Sequence, residues 1–185
     1  MRSPVPYALF FGPVYCLLAW PAGGAETQVS VSKEATVFSV EAVSRVSASQ
    51  RVAWETLTDY ARYPRFVPNL GLSRLASRNP LRVQQKGDFG ILFFRKEIYA
   101  TFDVAERPPS SIRFHAVEGN LKSLDTEVSL EERAGATSIR YHSTIEPDFW
   151  VPPLISSTII RISIREKLQA VAEEIERRAA AAMSR

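Results

Sequence analysis

The feature that most constrains this chain is a series of strand-length segments in which apolar and polar side chains alternate. In one of them Leu124, Thr126, Val128 and Leu130 alternate with charged or polar neighbours. Such alternation gives each strand one buried and one solvated face, which is typical of antiparallel sheets. A turn is predicted where glycine and aspartate follow each other at 87–88. The predicted strands are Thr36–Val46, Leu70–Ser77, Leu81–Lys86, Ile91–Glu106, Ile112–Ala116, Leu124–Glu131 and Ile139–Ile145.

Two helical regions interrupt and end this series. Trp54, Leu57 and Ala61 share one face of a first helix. Pro64 ends that helix, because proline removes a backbone hydrogen bond and clashes with the preceding turn. A second short helix is predicted over Arg62–Val67.

The final helix is predicted to run for about thirty residues, towards Ala182. One apolar stripe is suited to packing on the sheet and consists of Ile160, Ile164, Leu168, Val171 and Ile175. On the opposite side, Ile155, Ile159 and Ile162 are apolar only in the first half of the helix. Two explanations remain open: this side is covered by Phe149-Trp150 or the first helices, or it forms an apolar lip at a cavity mouth.

The segment Ala53–Leu70 contains the pattern Tyr63-Pro64-x-Phe66-x-Pro68, and a two-proline corner at 152–153 precedes the last helix. Together with the element order, these features resemble the START-like helix-grip superfamily, specifically its polyketide cyclase/dehydrase and ubiquinone-binding branch. The resemblance covers the whole chain after the N-terminal segment. It implies an α+β fold, in which a curved antiparallel sheet of about seven strands wraps around a long C-terminal helix. It also implies two short helices after the first strand and an apolar small molecule held between sheet and helix.

The N-terminal segment has a different composition. Arg2 precedes an apolar run over 7–20, and the small residues Gly23 and Ala25 follow. This predicts a signal peptide over 1–25, cleaved after Ala25, and not a membrane anchor, which needs about 20 apolar residues. We expect a mature periplasmic or secreted protein with a mobile polar lead-in over 26–35 and one domain over 36–185. The only cysteine is Cys16, within the predicted signal peptide.

Charge and composition exclude several classes of site. The net charge is +3 and the basic residues do not run together, which argues against a nucleic-acid partner. His115 and His142 fall on the polar phase of their strands, so we predict that both lie on the solvated face. Two histidines without clustered carboxylates make a poor metal site. We therefore expect no metal and no cofactor, but an apolar small-molecule ligand and transient membrane contact.

The candidate site residues are the inward-facing side chains of the sheet and the last helix. The polar members can hydrogen-bond a ligand carbonyl or hydroxyl, but they do not form a nucleophile and base pair, so no catalytic residue is predicted. The predicted ligand-binding residues are Phe66, Gln85, Phe102, Phe114, Thr126, Tyr141, Ser143, Ile160 and Ile164. The predicted cavity mouth consists of Phe149, Trp150, Ile155, Ile159 and Ile162.

Three functions remain open at this level. The first is carriage of an apolar molecule such as a lipid, a quinone or a polyketide-like compound. It is favoured because the predicted inner face has almost no titratable group. The second is an aromatase/cyclase or dehydratase in which Tyr141, Ser143 and Gln85 assist the reaction. The third is a structural or partner-binding domain with a filled interior, since fold alone does not decide function.

Overall fold

The computed structural model describes residues 25–91, 94–152 and 156–184. Within these ranges the chain forms one sheet, two α-helices and a 3-10 helix. In chain order the elements are β1 (Glu26–Glu34), β2 (Val37–Val46), α1 (Gln50–Leu57), the 3-10 helix (Tyr60–Arg65), β3 (Leu70–Arg78), β4 (Leu81–Ile91), β5 (Phe94–Arg107), β6 (Ser111–Gly119), β7 (Leu121–Arg133), β8 (Ala136–Pro147) and α2 (Ser156–Met183).

The strands form one antiparallel sheet of eight strands in the order β1-β2-β8-β7-β6-β5-β4-β3. β1 and β3 are therefore its two edges, and β3 pairs with β4 with shifts of register at two places. The helix α2 packs against β1, β2, β4 and α1. The predicted α+β helix-grip architecture is confirmed, with one strand more than the expected seven.

The additional strand is β1, so the prediction of a mobile lead-in over 26–35 is wrong. The strand was missed because its side chains are mostly polar. The hydroxyl of Thr27 is nevertheless buried and lies 2.8 Å from that of Ser44 on β2. At the start of the strand, the carbonyl of Ala25 accepts a hydrogen bond of 2.7 Å from Gln169 of α2. Backbone pairing with β2 and this buried hydroxyl contact hold the segment, and half-buried Val29 and Val31 add apolar contacts with the core.

β4 continues through Gly87 and Asp88, so the turn predicted there is also wrong. A Cβ atom at Gly87 would lie 2.3 Å from the carbonyl oxygen of Asn69. The backbone N–H of Asp88 donates to that same oxygen at 2.7 Å. Glycine is thus required where the chain entering β3 passes close to β4, and this close approach, not a turn, explains its position.

An ionic cluster fixes the C-terminal half of α2 to the first helical region. Glu174, whose side chain is 9% exposed, accepts hydrogen bonds from Arg177 at 2.6 Å and Arg178 at 2.7 Å. Arg178 also pairs with Asp59 at 3.0 Å, and its guanidinium lies 5.7 Å from the ring centroid of Phe66. The hydrogen bond from Arg177, helped by that from Arg178, lowers the pKa of Glu174 to about 2 despite its burial.

The helices of the described part of the chain include none that is long and apolar enough to cross a membrane. Except for Ala25, the predicted signal peptide lies outside the described residues, and so does Cys16.

Candidate functional site

A cavity of about 290 Å³ lies between the sheet and α2. A single water molecule needs only about 15 Å³ of such volume, so the interior is hollow and not a packed core. The lining is mainly apolar, and the side chains that α2 contributes are Ile160, Ile164, Lys167, Leu168, Val171 and Ala172. The sheet side chains that face α2 across the cavity come from β5 to β8, because every second residue of these strands points inward.

The structure brings most of the predicted ligand-binding residues together around this cavity. Those that line it are Gln85, Phe102, Phe114, Thr126, Tyr141, Ile160 and Ile164. The rings of Phe102 and Phe114 meet edge to face with centroids 6.1 Å apart. Their contact with a ligand stays a prediction, but their placement on one surface agrees with it.

Two predicted ligand-binding residues are absent from the lining. The ring of Phe66 packs edge to face on Tyr63 at 5.5 Å, beneath the guanidinium of Arg178. Ser143 is fully buried behind Thr126, and the two hydroxyls are 2.8 Å apart. Ser143 therefore acts on the cavity only through its neighbours.

The predicted mouth is only partly assembled. Phe149 lines the cavity, and the ammonium of Lys96 lies 5.8 Å from its ring centroid. Trp150 is 70% exposed and does not line the cavity. Ile162 is half-buried and also lies outside the lining. Ile155 lies outside the described residues.

The expected exposure of Ile159 is wrong, because this side chain is 0% exposed. It shares a buried face of α2 with Ser156 and Ser163, which are three residues before it and four after it. The hydroxyl of Ser163 donates to the carbonyl of Gly90, 3.5 Å away, so the end of β4 lies against this face. At Ile159 this side of the helix is thus buried, whereas Ile162, one turn further on, stays half-buried.

The polar groups at the cavity are mostly paired with one another. Burial raises the pKa of the Tyr141 phenol, and hydrogen bonds with Ser143 and Thr126 lower it in part. Gln85 donates from Nε2 to Ser73 at 3.3 Å and keeps its carbonyl oxygen for other partners. A protonated phenol and an amide can orient a polar ligand group, but neither is a base at neutral pH.

Lys167 also lines the cavity, although sequence reasoning did not select it. Its ammonium donates to the carbonyl of Pro68 at 2.9 Å, and burial lowers its pKa. The available signal was its spacing: Lys167 lies three residues after Ile164 and four before Val171, within the apolar stripe.

The histidines lie outside this site. Both are exposed on the outer face, as predicted, and Nδ1 of His115 is 2.6 Å from a carboxylate oxygen of Asp125. In the ranges that the structure describes, no group of three histidine, cysteine or acidic side chains could hold a metal ion.

Comparison with known proteins gives one family match and many structural ones. A family model described as polyketide cyclase/dehydrase and lipid transport matches residues 46–175. A search of curated proteins finds no match.

Among solved structures, the Zhui aromatase/cyclase from Streptomyces is 17% identical with a TM-score of 0.62, covering 79% of this chain and 98% of that one. A STAR-related lipid transfer protein from Xanthomonas axonopodis is 12% identical with a TM-score of 0.59, covering 80% and 98%. A START superfamily protein from Mycobacterium smegmatis is 14% identical with a TM-score of 0.58, covering 86% and 99%. At these identities the likeness shows the fold alone.

Proposed function

Because this chain belongs to the polyketide cyclase/dehydrase and lipid transport family, we propose that it binds and carries an apolar small molecule such as a lipid, a quinone or a polyketide-like compound. The observation that carries the proposal is the mainly apolar cavity of about 290 Å³. Burying about 200 Å² of hydrocarbon there would contribute roughly 5 kcal/mol, before the costs of ordering the ligand. A preformed cavity keeps those costs low, but apolar burial of this size alone gives a Kd of about 0.2 mM at best. Micromolar binding needs about 8 kcal/mol, so a larger buried area or a polar contact must supply the rest.

The alternative is an enzyme: an aromatase/cyclase, as one of the structural neighbours is called, or a dehydratase. Tyr141, Thr126 and Gln85 at the cavity would orient a substrate carbonyl by hydrogen bonding. The raised pKa of Tyr141 favours a donor and not a base. Carriage is therefore the better-supported function for this set of side chains.

Mass spectrometry of organic extracts from the purified protein, together with binding of the fluorescent apolar probe N-phenyl-1-naphthylamine, tests the proposal. We expect a retained apolar compound and saturable probe binding that the compound displaces. A compound that emerges chemically converted after incubation would favour the cyclase alternative. Absence of both retained compound and probe binding would support the ligand-free structural domain.

Filling the cavity is expected to weaken binding of this probe. Phe114 lies between Phe102 and Tyr60, each ring centroid 6.1 Å from its own. The larger indole of Phe114→Trp has room only towards the cavity, so probe affinity should fall about tenfold. Tyr99→Trp is the matched control, because Tyr99 is 50% exposed and does not line the cavity. Equal affinity of both variants, with unchanged circular dichroism, would place the probe elsewhere.

We further propose that the protein works outside the cytoplasm and touches membranes briefly when it loads. The N-terminal pattern of Arg2, an apolar run and small residues supports export. Exposed Trp150, beside Phe149 at the cavity, supports contact with a lipid interface. N-terminal sequencing of protein from the periplasmic fraction should find a start near Glu26. Intact Met1 in cytosolic protein would contradict export, and no sedimentation with lipid vesicles would contradict membrane contact.

A further inference from the structure

Lys167 occupies an unusual position for a charged side chain. Ile160 and Ile164 lie seven and three residues before Lys167, and Val171 lies four residues after it. The four residues therefore share one helix face. All four line the cavity. Lysine is rarely buried unless its charge is compensated. An ammonium in the middle of the inward stripe therefore requires an explanation beyond packing.

The partners of this ammonium do not neutralise it. Within the described residues it makes one hydrogen bond, of 2.9 Å, to the carbonyl of Pro68, and an ammonium has three N–H donors. Among the described residues no carboxylate forms an ion pair with it, although Asp88 and Glu166 act on it from farther away. Toward the described residues, two donors of Lys167 therefore remain for another partner.

The other lysine next to the cavity, Lys86, has an exposed side chain and differs in this respect. The ammonium of Lys86 lies 3.0 Å from a carboxylate oxygen of Glu97, so its charge is already compensated. Of the two lysines in the lining, only Lys167 lacks such a carboxylate within the described part of the chain.

We propose, resting on the proposed function above, that the carried molecule is an amphiphile whose apolar body fills the cavity and whose single carboxylate pairs with Lys167. The half-buried position of Lys167 suits this pairing, since the carboxylate keeps part of its hydration while the hydrocarbon is buried. A doubly charged phosphate fits less well, because the single charge of Lys167 does not balance it and nearby Asp88 adds repulsion to the excess charge.

Decanoate and decanol separate the head group from the chain. Each is titrated against protein loaded with N-phenyl-1-naphthylamine, at a pH where the acid is ionised. Wild-type protein should bind decanoate at least tenfold more tightly than decanol. Lys167→Met keeps the length of the side chain and removes the charge, so decanoate affinity should fall roughly ten- to hundredfold while decanol affinity stays the same. Lys86→Met removes an exposed lysine charge that is already paired with Glu97, so it is the control for loss of a charge and should leave both affinities unchanged.

The outcomes separate this inference from the function on which it rests. Equal wild-type affinities for acid and alcohol, or an equal loss of both in Lys167→Met, would overturn the carboxylate site while leaving apolar carriage intact. Probe binding that neither decyl compound displaces would also overturn it. Failure of the probe itself to bind wild-type protein would contradict the carrier function. If Lys167→Met does not fold, the wild-type ratio of acid to alcohol affinity decides.

Discussion

Replacing Ile159 with alanine is expected to lower the free energy of unfolding by about 2–4 kcal/mol, as measured by urea denaturation. The side chain is 0% exposed, and removing three of its carbon atoms leaves a cavity that the surrounding structure fills only in part. Ile162, three residues on and only half-buried, is the matched control. Ile162→Ala should cost less than about 1.5 kcal/mol.

The result also decides how the first half of α2 is used. If Ile159→Ala keeps wild-type stability but loses association with lipid vesicles, then Ile159 belongs to an exposed lip and the packing against the end of β4 is incorrect. Loss of stability with unchanged probe affinity would show that this face holds the helix and takes no part in the site.

Removing the carboxylate of Glu174 is the second change with a large expected effect. Its pKa is lowered from the ordinary 4.5 to about 2, which corresponds to about 3 kcal/mol of stability from the ionised form. A carboxyl group whose pKa is lower in the folded protein than in the unfolded chain stabilises the folded state at pH values above its unfolded-state pKa. That contribution is lost as the pH falls towards the folded-state pKa. We expect Glu174→Gln to be less stable than wild type by this amount above about pH 5. The difference should shrink as pH falls towards about 2.

Glu131 provides the control for this prediction. It also binds two arginines, Arg133 and Arg140, and their hydrogen bonds lower its pKa, but its side chain is 38% exposed. Surface ion pairs of this kind are screened by water and salt. Glu131→Gln should therefore change the urea midpoint much less than Glu174→Gln. If the two substitutions lower the urea midpoint equally, at low and at high salt, burial does not strengthen the Glu174 cluster.

Much of the sheet could be predicted because its side chains alternate strictly. Thr126, Val128 and Leu130 of β7 are buried at every second position, as their pattern indicates. β1 was harder to predict because its pattern is short: Val29 and Val31 alternate with serines, but the third inward residue, Thr27, is polar and is buried beside a hydroxyl of another strand. Gly87 resembles a turn residue in the sequence, because its true role depends on the fold. Only the folded chain brings the carbonyl oxygen of Asn69 to 2.3 Å from where a Cβ atom on Gly87 would lie.

The candidate site shows the same division between pattern and packing. Alternation identified Phe102, Phe114 and Tyr141 as inward-facing, but no pattern reveals whether the enclosed volume is empty or filled. Phe66 has a suitable position along the chain, yet its ring turns to Tyr63 and away from the cavity. Lys167 is visible in the sequence as a charged residue within an apolar stripe. That it lies at a binding cavity follows only from the structure, which shows that the interior is hollow.

The two edges of the sheet bear on self-association, which threatens any protein with unpaired strands. Along the edge strand β3 the register shifts between Leu70 and Leu72 and again between Leu75 and Ser77. These irregularities interrupt the regular row of backbone groups that a second molecule would need for pairing. Exposed Arg74 on the same strand adds charge that opposes contact between two copies. We therefore expect the β3 edge to resist pairing between two copies of the protein at high concentration.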